Sequence, residues 1–213
     1  MQVVKISTLA AAIGASLVYS GYASAAGSVT ANIGLVSEYH FRGVQQTSDA
    51  SASAGLNYSN GGFYAGTWAA DVGDGLEVDV FGGYNFNLTE DLGASVGFTT
   101  YQYTGDFDSE YNEVNLGLSY NMLSVNYAIG TRGDDDSLGI VETDYTFLSV
   151  TLSYQGFYGT FGTYGDETDG EYFEAGWSTT ISDFNVGVST IFSGSDLSDD
   201  ETIYFSIGKT FNL

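Results

Sequence analysis

At the end of the chain, Ile203, Phe205, Ile207, Phe211 and Leu213 share one parity, while Thr202, Tyr204, Ser206, Gly208, Thr210 and Asn212 share the other. Side chains of a strand alternate between its two faces, so this stretch predicts a strand with one apolar and one polar side. The same alternation starts at Ser28. Val29, Ala31, Ile33, Leu35, Tyr39 and Phe41 fall on one face and Thr30, Asn32, Gly34, Glu38, His40 and Arg42 on the other, with Val36 and Ser37 out of phase. Further on, Leu76, Val78, Val80, Tyr84 and Phe86 oppose Glu77, Asp79, Gly83, Asn85 and Asn87, and Val114, Leu116, Leu118 and Tyr120 oppose Glu113, Asn115, Gly117 and Ser119. Leu148, Val150, Leu152 and Tyr154, then Phe173, Ala175 and Trp177, then Phe184, Val186 and Val188 continue the scheme, which predicts twelve strands. Two are ambiguous in facing: residues 63–70, where the Trp68 side is taken as outward, and residues 157–164, left open.

Alternation alone also fits a soluble sandwich. The polar face decides, because it is built largely of Gly, Ser, Thr and Asn rather than bulky charged residues. Small polar residues suit the crowded interior of a small barrel. The apolar face carries Leu, Val, Ile and Phe, and aromatics recur near strand ends at Tyr58, Tyr84, Phe86, Tyr120, Tyr154, Phe184 and Phe211, as in the girdle where lipid meets water. No apolar run of the mature part is long enough for a membrane helix, so a membrane could be spanned only by strands in a closed barrel.

The connections alternate in length and charge. One set is short and holds Glu90, Asp91 and Asp183; the other is longer and holds most of the acids, including Asp134, Asp135, Asp136, Asp166, Glu167, Asp169, Asp199 and Asp200. The expected fold is therefore all-β: a closed antiparallel transmembrane β-barrel of 12 strands, with short periplasmic turns and longer acidic outward loops. Lys209 has lipid-face parity, which is acceptable only near the periplasmic rim, where its ammonium reaches the headgroups.

The first residues read as a leader. Lys5 supplies a positive start, residues 6–18 an apolar run and Ala23-Ser24-Ala25 a small-residue cleavage site, so residues 1–25 are expected to be removed and 26–213 to form a single outer-membrane β-barrel domain. The chain has no cysteine, hence no disulfide framework. Its 27 Asp and Glu against 4 Lys and Arg give a net charge of -23, which excludes nucleic acid as a natural partner.

Ser206, Gly208, Phe211 and Leu213 resemble the C-terminal signal by which outer-membrane barrels engage the barrel-assembly machinery. Ser37-Glu38-Tyr39-His40-Phe41-Arg42-Gly43 and Gly62-Phe63-Tyr64-Ala65-Gly66-Thr67-Trp68 resemble the porin-like proteobacterial TorF family. The resemblance implies an outer-membrane barrel of a Gram-negative cell with a porin-like role and supplies no catalytic residues. That family ends in Lys-Thr-Phe, whereas here Lys209-Thr210-Phe211 continues into Asn212-Leu213.

Glu38, His40, Arg42, Glu77, Asp79, Glu113, Arg132, Asp144 and Glu174 lie on the polar face and are the candidate lumen residues. They predict a channel for small solutes or ions with a preference for cations. The alternatives are a non-conducting structural or surface-interaction barrel whose Arg42 and Arg132 pair with neighbouring acids, and an outer-membrane hydrolase. A general base needs an oriented nucleophile within reach, and the single His40 has only Ser37 and Glu38 near it in sequence, so no enzyme is expected. The loop acids match no EF-hand; no metal site and no cofactor are expected, and loose divalent bridging to lipopolysaccharide is the most they suggest. Expected partners are outer-membrane lipid and lipopolysaccharide, the assembly machinery, and small solutes or cations. Oligomeric state is not legible.

Overall fold

Three of the two-residue reversals at one end of the molecule share a backbone reason. Gly61-Gly62, Gln155-Gly156 and Ser182-Asp183 all have positive φ at both positions, from 50° at Ser182 to 93° at Gly62. This mirror-image turn matches the twist of the strands it joins, and Gly61, Gly62 and Gly156 adopt it without a Cβ penalty. In the computed structural model, residues 27–197 and 201–213 are described. The leader expected over 1–25, and Asp199 and Asp200, lie outside the described residues.

Twelve strands close on themselves. In chain order they are β1 (Ser28–Val36), β4 (Ser51–Asn60), β5 (Phe63–Asp71), β6 (Leu76–Asn87), β7 (Leu92–Tyr103), β8 (Tyr111–Tyr120), β9 (Leu123–Arg132), β10 (Thr143–Tyr154), β11 (Phe157–Asp166), β12 (Glu171–Ile181), β13 (Phe184–Ser193) and β14 (Glu201–Asn212). Two very short strands, β2 (His40–Phe41) and β3 (Val44–Gln45), form a separate hairpin in the first long loop. Each barrel strand pairs antiparallel with its sequence neighbour, and β14 returns to β1 through Leu35–Ile207, Ile33–Lys209 and Ala31–Phe211. Closure leaves no edge of the barrel sheet unpaired.

Partners across a ladder point to the same side, so register turns each strand's alternation into continuous rows. Tyr84, Val96, Leu116, Tyr127 and Leu148 form one such outward row across β6 to β10. The sides are inverted relative to a water-soluble sheet. Val80 is 52% exposed and Leu116 44%, while Glu77 is 2% and Glu113 1% exposed. Lys209 stands beside the short turn at Asp183, 4.0 Å from its carboxylate, with its ammonium over the Phe184 and Phe211 rings.

Three expectations change. The first strand ends at Val36, not at Arg42, and the chain then bends into the barrel, so Tyr39 and Phe41 belong to the interior and not to the outer face. Trp68 also points inward, where its ring meets Tyr39 edge-on at 5.8 Å; the outer row of β5 is instead Phe63, Ala65, Thr67 and Ala69. Asp144 falls on the outer row of β10 with Leu148, pairs with Thr131 and accepts its hydroxyl at 2.7 Å, so it is not an interior residue. The open facing of β11 resolves with Phe157 and Phe161 outward and Tyr158 toward the interior acids.

The packed core lies inside the barrel at its long-loop end, in two clusters flanking the β2–β3 hairpin. Val36, Tyr39, Ala70 and Val72 gather Phe41 and Trp68 on one side. On the other, Ala128, Phe147, Tyr172, Ile191 and Leu197, the last from the 3-10 turn Ser195–Leu197, gather Val44.

Candidate functional site

The interior is the site, and the first loop shapes it. Ser37 ties the end of β1 to β14: its N–H donates to the Phe205 carbonyl, and its Oγ accepts the Phe205 N–H, both at 2.9 Å. The chain then folds inward, and the Tyr39 carbonyl accepts the Gln46 N–H at 2.7 Å to close the base of the hairpin. Arg42 and Gly43 form its tip with φ of 48° and 88°. A Cβ on Gly43 would sit 2.8 Å from Tyr172 Cβ, so both the conformation and the approach to β12 require glycine.

The tip crosses to the far wall. Arg42 forks onto Glu113 of β8 with contacts of 2.5 and 3.0 Å, and Tyr101 and Tyr145 donate their hydroxyls to the same carboxylate at 2.9 and 2.7 Å. The guanidinium also lies 4.3 Å above the Phe147 ring and 4.8 Å above that of Phe41. Ser193 of β13 donates its hydroxyl to the Gly43 carbonyl. A two-pronged guanidinium matches a carboxylate in a way an ammonium does not, and the aromatic faces favour the cation further.

Nearer the base, Tyr39 donates its hydroxyl to Glu77 at 2.9 Å. His40 stacks on Tyr204 with centroids 5.4 Å apart and places Nε2 3.3 Å from Glu38. Glu38 accepts the Thr202 hydroxyl at 2.9 Å and the Gln45 amide at 3.2 Å. Burial works to raise the Glu38 carboxyl, but hydrogen bonds from Thr202 and His40 outweigh it and hold the group below the usual carboxylate range. Glu174 of β12 accepts hydroxyls from Tyr158 and, at 2.8 Å, Tyr204. Arg132, at the long-loop end of β9, pairs with Asp108 of the loop between β7 and β8 at 2.5 Å. Asp79 of β6 is 4% exposed, and its Oδ1 has no hydrogen-bond partner.

The short-turn half of the interior is different. Its inward positions include Asn32, Asn57, Ser95, Asn126, Ser178 and Ser206, all half-buried, and the buried Gly117; none is charged. Of the C-terminal quartet, Ser206 and Gly208 take inward positions, while Phe211 and Leu213 are exposed on the outer face. The interior is thus neutral and hydrophilic toward the short turns and carries buried acids toward the long loops, where Arg42 meets Glu113.

Sequence reasoning missed the phenols. Tyr101, Tyr103, Tyr145, Tyr158 and Tyr204 face the interior and bond its carboxylates, and Tyr111 bonds Asp108 of the loop between β7 and β8. Their parity was available, since Tyr101 and Tyr103 continue the inward row of Thr99. Among the described residues, no three acidic or histidine side chains converge as a metal site.

Solved structures with this architecture include the KdgM porin, 7% identical over 86% of this chain and 99% of that one with a TM-score of 0.56. The NanC porin is 12% identical over 85% of this chain and 98% of that one, also at 0.56. At these identities the likeness is one of fold. A further KdgM porin structure is of its complex with disordered oligogalacturonate (8% identity, TM-score 0.56, 87% of this chain and 99% of that one). No curated protein matches the sequence. Residues 20–199 match the family described as "Bacterial protein of unknown function (Gcw_chp)", and the chain belongs to that family.

Proposed function

We propose that this protein is an outer-membrane channel of the porin type, passing small solutes or ions with a preference for cations. The single observation behind this reading is the interior itself: half-buried neutral side chains toward the short turns, and beyond them an inner wall whose charged members Glu77, Asp79, Glu113 and Glu174 are mostly of one sign. A passage lined by one sign of charge favours counter-ions. The apolar outer rows support residence in a bilayer, since such a continuous exposed apolar surface is not tolerated in water. The leader-like residues 1–25 and the C-terminal quartet support export and insertion by the barrel-assembly machinery, and the acidic loops support loose bridging to lipopolysaccharide. An oligogalacturonate is a polyanion, whereas the interior here carries acids in excess, so the solutes are neutral or cationic.

His40 serves the hairpin through Glu38 and Tyr204, which is a holding role and not that of a hydrolase. The test is purified protein in a planar bilayer under a potassium chloride gradient. Stepwise conductance with a cation-selective reversal potential is expected; anion selectivity would refute the charge argument.

A second reading has its own observation. The two apolar clusters pack the hairpin from both sides, as in a closed structural barrel. Silence of both the intact protein and a hairpin-deleted variant in the same bilayer would favour it.

A further inference from the structure

Glu77, Asp79 and Glu113 are each at most 4% exposed and face the same half of the interior, where Arg42 forks onto Glu113 and makes no hydrogen bond to the other two. Ionised together, the three carboxylates would outnumber that one cation by two charges. Glu113 is saturated by Arg42, Tyr101 and Tyr145. Glu77 receives Tyr39 at 2.9 Å and Tyr103 only at 3.5 Å. Asp79 is left over: its Oδ1 is buried and unpartnered. A buried carboxylate oxygen with no donor is unstable unless a cation or a proton meets it.

We propose that Asp79 and Glu77 together bind one hydrated divalent cation of the calcium class. Both belong to β6, two residues apart, and so share the inward face. Hard carboxylate oxygens suit such an ion, and its charge matches the excess. Two carboxylates cannot fill six to eight coordination positions, so water supplies the rest and the ion is held weakly. Weak holding is what a permeating ion requires. As a step in permeation the inference rests on the channel reading; as a binding site it stands alone.

Terbium(III) is the probe, because it takes calcium sites and emits when a nearby tryptophan is excited. Trp68 lies directly across the ladder from Asp79, whereas Trp177 is on the outer face. Detergent-folded protein is expected to give tryptophan-sensitised emission that calcium displaces. The emission should fall at least tenfold in Asp79→Asn, Glu77→Gln and Trp68→Phe, each confirmed as folded by its heat-dependent gel shift. It should persist when Asp134, Asp135 and Asp136 are all changed to asparagine. Absence of emission, persistence in the folded Asp79→Asn variant, or loss in the loop variant would overturn the site; in the first two cases Asp79 is met by a proton instead. Binding with a silent bilayer would sink the channel and leave the site, and conduction without binding would do the reverse.

Discussion

Glu113 accepts four hydrogen bonds, two from one guanidinium and two from phenols, in a position 1% exposed. Removing the guanidinium leaves a buried carboxylate with its charge uncompensated. Arg42→Ala is expected to destabilise the folded barrel by about 3–5 kcal/mol, read as a lowered urea midpoint in lipid vesicles. The double variant Arg42→Ala/Glu113→Gln should recover much of that loss; additive effects would mean that the pair is not coupled. Glu38 gives a pH prediction. Its folded carboxyl sits below the unfolded one, so its tie to Thr202 contributes fully above about pH 4.3 and fades as pH falls through the lower folded value. Below about pH 4 the hairpin base should loosen, seen as noisier conductance, and Glu38→Gln should remove that component. The inward acids of the wall were legible because parity is strict inside a regular strand: Glu77, Asp79, Glu113 and Glu174 are all placed by it. Asp144 shows the converse, since its parity matches Leu148 and grouping it with the interior acids ignored the rule. Trp68 could not be read, because small residues occupy both faces of β5 and its facing is decided by Tyr39, a partner from another element.

The β2–β3 hairpin was hidden by the same regularity. Polar and apolar residues keep alternating past Val36, and only the slip at Val36-Ser37 marks the strand's end. A one-residue slip sends every later side chain to the opposite face, so two successive exceptions are better read as a boundary than as noise. Beyond that boundary the chain makes a turn that needs positive φ at Arg42 and Gly43, and its tip is fixed in place by β8, β12 and β13, far away in sequence. Gly43→Ala tests the element with one methyl group. The left-handed conformation alone disfavours alanine by roughly 1–2 kcal/mol, and contact with Tyr172 adds to that. Cleavage of the 37–50 loop by an added protease is expected to speed up roughly tenfold, in line with that free energy, with the barrel intact. If the hairpin narrows the passage, replacing residues 39–46 with two glycines should raise single-channel conductance several-fold and leave the heat-dependent gel shift in place. Unchanged conductance would place the narrowest point elsewhere.

For the whole barrel, alternation and closure are one argument: each strand offers one apolar side, and pairing β14 with β1 makes those sides a continuous outer surface. Depth along that surface then sets what each position tolerates. Leu116 lies mid-strand in β8, between Val96 and Tyr127, on the outermost face. Lys209 lies on the same face but beside the short turn, where Asp183 and two aromatic rings receive its ammonium. A bilayer distinguishes these depths and water does not. Leu116→Arg should therefore destabilise the protein by about 2–4 kcal/mol in vesicles. An arginine introduced at Phe211, one rung from the rim, should cost about 0–1 kcal/mol of charge burial. Equal effects at the two positions would mean that the apolar rows do not face a hydrocarbon slab, and the placement of the barrel across a bilayer, with its short turns at one rim and its acidic loops at the other, would lose its physical basis.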